Sequence, residues 1–87
     1  MANYKILYWQ EVPSQVKAED DFDEVTLPLH PRFQERIDEL AARRGLQAMD
    51  DYLAQWRWSE EEHREGTAQE VAETVKNELE KATDGHG

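Results

Sequence analysis

The chain contains no cysteine. Disulfides, thiolate nucleophiles, Cys-ligated zinc and iron–sulfur ligation are therefore outside its own chemistry, and cysteine usage says nothing of the redox compartment. Positive charge is scarce. Ten Lys and Arg stand against twenty Asp and Glu, for a net charge of -10. Such a surface repels nucleic acid and anionic lipid; it favours solubility and, in a sharper reading, a basic partner. No apolar run approaches membrane-spanning length, and the first residues show no signal-peptide pattern, so neither a membrane nor an export route is expected and the cytoplasm is the default location. Glycine is also scarce, with four residues. No nucleotide-cradling glycine loop and no nucleophile-elbow pattern can be drawn from them.

What remains is one small domain. Eighty-seven residues with 38% apolar content supply one core and no second. There is no internal repeat and no low-complexity tract. The expected unit is residues 1–82, followed by a flexible tail at 83–87.

Tyr4 to Gln10 reads as a strand, with Tyr4, Ile6 and Tyr8 on one face and Lys5, Leu7 and Trp9 on the other. Pro13 and Ser14 suit a turn, because proline fixes φ and serine bonds locally to the backbone. Gln15 to Glu19 then returns as a second strand, so residues 4–19 are expected as a hairpin. Glu19 to Glu24 carries five acids around Phe22. It reads as a solvated loop with Phe22 tucked back on the core. A calcium loop would require a turn glycine and a bidentate glutamate, and both are absent. Val25, Leu27 and Leu29 alternate with polar or proline positions, which predicts a short strand that Pro28 confines to an edge or an end.

Pro31 suits the first position of a helix. Phe33, Ile37, Leu40 and Ala41 repeat at helical spacing, Arg43 and Arg44 favour the carboxyl end of the dipole, and Gly45 stops the helix. A second, shorter helix is expected with Met49, Tyr52, Leu53 and Trp56 on its inner face. Trp56, Arg57 and Trp58 leave it as a short extended segment. Ser59 to Glu65 fits helix, strand or loop. Thr67 with Glu70 forms a capping box, and behind it Ala68, Val71, Ala72, Val75, Leu79 and Ala82 make a continuous apolar stripe. The fold class is therefore α+β: a small, mostly antiparallel sheet, made of the hairpin and a third strand with a fourth available at Trp56, covered by about three helices.

No constellation carries chemistry. His30, His63 and His86 do not share metal-ligand spacing and read as solvent-exposed. The carboxylates lie in loops and on polar helix faces, where nothing separates their pKa values. Ser14, Ser59 and Thr67 have turn or cap roles. No catalytic, cofactor-binding or metal-binding residue is therefore assigned. Among the six large polar-tipped rings, Tyr4, Tyr8, Tyr52 and Trp56 are expected to fill the core. Trp9 adjoins Tyr8, and Trp58 adjoins Arg57 one residue from Trp56; Trp, Tyr and Arg dominate binding hot spots. The residues expected to bind a partner are Trp9, Pro13, Ser14, Gln15, Trp56, Arg57 and Trp58.

An ordered set of motifs also carries a resemblance: YWQEVPSQV, DEVTLPL, RFQERID, DDYLAQWRW and REGTAQEVAETV leading to NELE. Together they resemble the small bacterial virulence-factor domain, which occurs alone and within larger conserved virulence factor C proteins. The likeness runs from Tyr4 to about Glu80. It implies no catalytic residues and no cofactor ligands. In larger members it implies a link to an iron–sulfur-scaffold-like domain and helical repeats; in stand-alone members, a setting beside folate and corrinoid one-carbon enzymes. The function expected from residues and resemblance together is a non-catalytic accessory domain docking on a larger enzyme or scaffold. Two alternatives stand beside it. Residues 24–56 have the strand–helix–helix order of a ribbon-helix-helix DNA-binding dimer, although the groove-facing residues, polar or basic in that family, would here be Thr26 and Pro28 beside an acidic loop. Glu11, Arg57 and Arg64 are the polar residues on which a small enzyme would be built.

Overall fold

The computed structural model describes residues 1–84. Its elements are β1 (Ala2–Trp9), β2 (Val12–Glu19), β3 (Glu24–Pro28), α1 (Pro31–Arg43), α2 (Met49–Leu53), β4 (Trp56–Trp58), β5 (Glu62–Arg64) and α3 (Ala68–Asp84). The fold is a small α+β domain: a five-stranded antiparallel sheet with three helices. The sheet order is β3-β2-β1-β4, and β5 shares the β1 edge with β4. Leu7 to Trp9 pair with β4, and Ala2 to Tyr4 pair with β5. Between them Ser59 fills the gap: its Oγ accepts from Ile6 N at 2.8 Å and its N donates to Ile6 O at 2.8 Å. The segment after Trp58, left open by the sequence, thus supplies a fifth strand.

One sheet face is apolar because the alternation on three strands is in register. Tyr4 pairs with Ala18, which pairs with Val25; Ile6 pairs with Val16, which pairs with Leu27. Side chains directly opposite share a face, and these residues join Phe33, Ile37 and Leu40 of α1 and Ala68, Val71, Ala72 and Val75 of α3 in a single core. Helix α3 packs on β1, β2 and β3, and α1 on β2. Their ends are tied together where Arg32 donates to Glu80 O at 3.0 Å and His30 N donates to Glu80 Oε2 at 2.9 Å. Burial pushes the Glu80 carboxyl up, but Lys76 at 3.0 Å and the His30 N–H outweigh it and hold it below the ordinary range.

The helix boundaries follow local chemistry. Pro31 opens α1, and His30 Nδ1 accepts from Arg32 N at 3.1 Å. At the far end Leu46 N donates to Ala41 O at 2.8 Å and Gly45 N to Ala42 O at 3.4 Å, with Gly45 at φ 69°. This paired closure satisfies the last carbonyls and needs a left-handed residue at Gly45. The Thr67–Glu70 capping box is present in both directions, at 3.0 and 3.1 Å. Helix α3 continues past Ala82 to Asp84; the rest of the expected tail, residues 85–87, lies outside the described residues.

Three local expectations are corrected. The hairpin turn is Gln10-Glu11; Pro13 and Ser14 lie inside β2. A two-residue hairpin loop requires φ above zero at its first position, and Gln10 takes φ 53° without the glycine or asparagine that usually marks such a turn. Pro13 is buried, beyond the last β2–β3 pair and beside a register shift, where a missing N–H is tolerated. Second, α2 is barely more than one turn. Met49 and Leu53 point outward, while Tyr52 and Trp56 lean on the core, Trp56 from β4. Third, Phe22 does not return to the core but stands 92% exposed.

Candidate functional site: the uncovered sheet face

β1 and β2 shift register beside the hairpin turn. Leu7 pairs with Gln15 and Tyr8 with Pro13, so Ser14 is an extra residue in β2. Such a bulge bends the strand and re-aims its neighbours. Burial runs Ala2, Tyr4 and Ile6 at period two, then arrives at Trp9 after three residues. Trp9 is fully buried. Its Nε1 donates to Tyr52 O at 3.0 Å, and its ring lies 5.5 Å from that of Tyr52. Tyr52 in turn meets Trp56 edge-on at 6.1 Å. Trp9 and Pro13 are therefore core, not contact surface, and Trp56 is largely so. Tyr8, expected inside, is only half-buried, with the Arg57 guanidinium 5.5 Å from its ring centroid.

On the opposite face of the sheet the same register lines up two central rows. Lys5 pairs with Lys17, which pairs with Thr26; Leu7 pairs with both Gln15 and Trp58, and Gln15 with Pro28. All are half-buried or exposed, as expected of an antiparallel sheet with one solvated side. Trp58 is 42% exposed, and Lys5 Nζ sits 4.9 Å from its ring centroid. Two lysines directly opposite repel. Here each has its own partner, the Trp58 ring for Lys5 and Glu24 at 3.7 Å for Lys17. Of the expected residues, the structure brings Gln15 and Trp58 onto this face, with Ser14 and Arg57 at its margin. Lys5, Leu7, Lys17 and Pro28 were not singled out from the sequence; the alternation of β1 was the signal for Lys5 and Leu7.

The polar groups nearby serve the fold. Arg44 holds the hairpin turn, binding Glu11 at 2.7 and 3.0 Å and also Gln10 Oε1. The Arg44 hydrogen bonds depress the Glu11 carboxyl. Arg57 donates to Gln10 O at 3.3 Å. Arg64 pairs with Glu78 at 2.8 Å. It stands opposite Ala2, whereas Arg57 stands opposite Tyr8, about 20 Å away along an extended strand. Glu11, Arg57 and Arg64 therefore form no common cluster. His63 Nδ1 bonds to Asn3 Oδ1, and His30 caps α1; His86 lies outside the described residues. Tyr4 Oη donates to Glu62 Oε2 at 2.7 Å, which with burial raises the phenol above its ordinary value. Among the described residues no polar or charged side chain is buried, and no group of three metal-capable side chains converges.

The class of protein defined by these features is a two-layer α+β domain with one bare sheet face. Residues 7–86 match the family model described as Virulence factor, which is nearly the whole chain, and the chain belongs to that family. No curated protein and no solved structure matches the chain at a significant level.

Proposed function

We propose that this domain is a non-catalytic accessory module that docks on a larger cytoplasmic enzyme or scaffold through the uncovered sheet face. The observation that carries the proposal is the pairing of Leu7 with Trp58 on a face no helix covers, with Trp58 42% exposed and Lys5 over its ring. An exposed indole held between an aliphatic side chain and an ammonium has the composition of a binding hot spot. Support also comes from the polar side chains around the sheet: Glu11 pairs with Arg44, Arg64 with Glu78 and Tyr4 with Glu62, and Ser59 closes the β1 edge. On the family resemblance, the partner belongs to one-carbon or iron–sulfur metabolism. A ribbon-helix-helix regulator draws less support: one edge of β3 is taken by β2 of the same chain, and the strand opens at Glu24 after an acidic turn.

The test is co-purification of the tagged chain from its native cell, in parental form and as Trp58→Ala. The variant removes an exposed ring and leaves the core alone. Loss of a hot-spot residue costs about 2 kcal/mol or more of binding, roughly 30-fold in affinity. A folded Trp58→Ala chain that retains every partner at parental yield rejects this face as the docking site.

A further inference from the structure

The turn between β2 and β3 presents one ring to solvent and fixes its backbone. Asp20 is the organising residue. Its Oδ1 accepts from Phe22 N and from Asp23 N, each at 2.7 Å, and its Oδ2 accepts from Ala68 N at the start of α3, also at 2.7 Å. Asp20 N donates to Asp23 O at 2.9 Å, closing the turn. The turn is thus tied both to itself and to the longest helix. At its tip Phe22 is 92% exposed, more than any other large apolar side chain among the described residues.

A phenyl ring so exposed adds nothing to the core; a polar residue would serve the turn as well. Anchors of this kind gain when their backbone is already ordered, because the entropy of fixing them is not charged to binding. Phe22 stands among Glu19, Asp20, Asp21, Asp23 and Glu24. Glu24 is paired with Lys17 and the Asp20 carboxylate is used by backbone N–H groups; Glu19, Asp21 and Asp23 are exposed, with no cation partner among the described residues. A ring seated inside an acidic collar fits an apolar pocket whose rim carries lysine or arginine, and like-charged rims are excluded.

We propose that Phe22 is an anchor that inserts into an apolar, basic-rimmed pocket on a partner protein. This rests on the reading of the chain as an interaction module but is independent of the sheet face: Phe22 follows the Glu19 end of β2, whereas Trp58 lies across Leu7 from Gln15, near the other end.

The experiment places the photo-crosslinker benzoylphenylalanine at position 22 of the full chain, expressed in its native cell. The crosslinked peptide is sequenced by mass spectrometry. The same group at position 58 reports on the sheet face, and at exposed Glu39 of α1 it serves as control. The expected result is one protein crosslinked from position 22 and not from position 39, through a peptide whose apolar residues adjoin lysine or arginine. Asp21→Asn with Asp23→Asn should lower the yield about threefold or more, as should raised salt. The proposal is overturned by no crosslink from position 22, by a crosslink to a second copy of the chain, by a target surface without basic residues, or by a yield indifferent to both substitutions. A crosslink from position 58 with none from 22 overturns the anchor and leaves the docking module standing. A basic-pocket crosslink from 22 with none from 58 supports the anchor and removes the sheet face.

Discussion

Replacing Trp9 by alanine should come close to unfolding this domain, and the size of the effect follows from where the fold puts the ring. Trp9 is fully buried, stacked obliquely on Tyr52 at 5.5 Å, with its N–H on Tyr52 O at 3.0 Å. Truncating a buried Trp or Phe to alanine costs about 3–5 kcal/mol, because the transfer free energy is lost and the space only partly closes. The Tyr52 carbonyl also loses its partner, adding about 1 kcal/mol if water does not reach it. A chain of 87 residues has a total stability of about 4–13 kcal/mol. One side chain thus holds a large share of it, and the melting point should fall by about 15–30 °C. Thermal and urea unfolding followed by far-UV circular dichroism measure this directly. Trp9→Phe keeps most of the packing and loses the hydrogen bond, so it should cost about 1–2 kcal/mol. Trp58→Ala, on the open face, should cost about 1 kcal/mol or less. If Trp9→Ala melts within about 5 °C of the parent, or no lower than Trp58→Ala, the reasoning from burial is refuted. A further consequence concerns binding: loss of a partner in Trp9→Ala reports unfolding and says nothing of recognition.

Gly66 has φ 123°, a conformation L side chains rarely adopt, although an added Cβ would meet only ordinary contacts at 3.5 Å from Glu70 and Val71; Gly66→Ala should therefore destabilise through the backbone by about 1–3 kcal/mol, read from the urea midpoint. Asp20→Ala removes the acceptor for three backbone N–H groups, so it should lower the melting point and speed amide exchange at Phe22, Asp23 and Ala68. Backbone hydrogen bonds hold Asp20 below the ordinary carboxylate range, and Glu11 and Glu80 are depressed as well. The unfolded chain therefore takes up protons first as pH falls: this stability is complete above the ordinary carboxylate range and is lost as pH drops through the folded-state values. Urea midpoints across an acid series should show that loss, shallower in Asp20→Ala. Tyr4 has the opposite sign. Its phenol is raised, so its contribution is present below the ordinary tyrosine range and is lost as pH rises through the folded value; Tyr4→Phe should remove that alkaline limb.

Where a boundary is set by chemistry within a few residues, the sequence by itself was sufficient. Pro31 and Gly45 delimit α1, Thr67 with Glu70 starts α3, and the period-two run Tyr4–Ile6 and the stripe Val71–Val75 mark their inner faces. Each depends on a local hydrogen bond or on a period that a single element enforces. These were enough to determine an α+β domain with one core and an acidic exterior. The exchange of Trp9 for Tyr8 was not accessible in the same way. Trp9 is buried against Tyr52, 43 residues further along the chain, and only the fold brings the two together. The turn at Gln10-Glu11 was hidden because its left-handed residue is a glutamine, held from outside by Gln55 and Arg44. Phe22 stands outside the core because Asp20 spends its carboxylate on Phe22, Asp23 and a helix 48 residues further along the chain. Local pattern thus determined the elements and their inner faces, whereas contacts between distant segments decided which aromatic ring is core and which is left exposed.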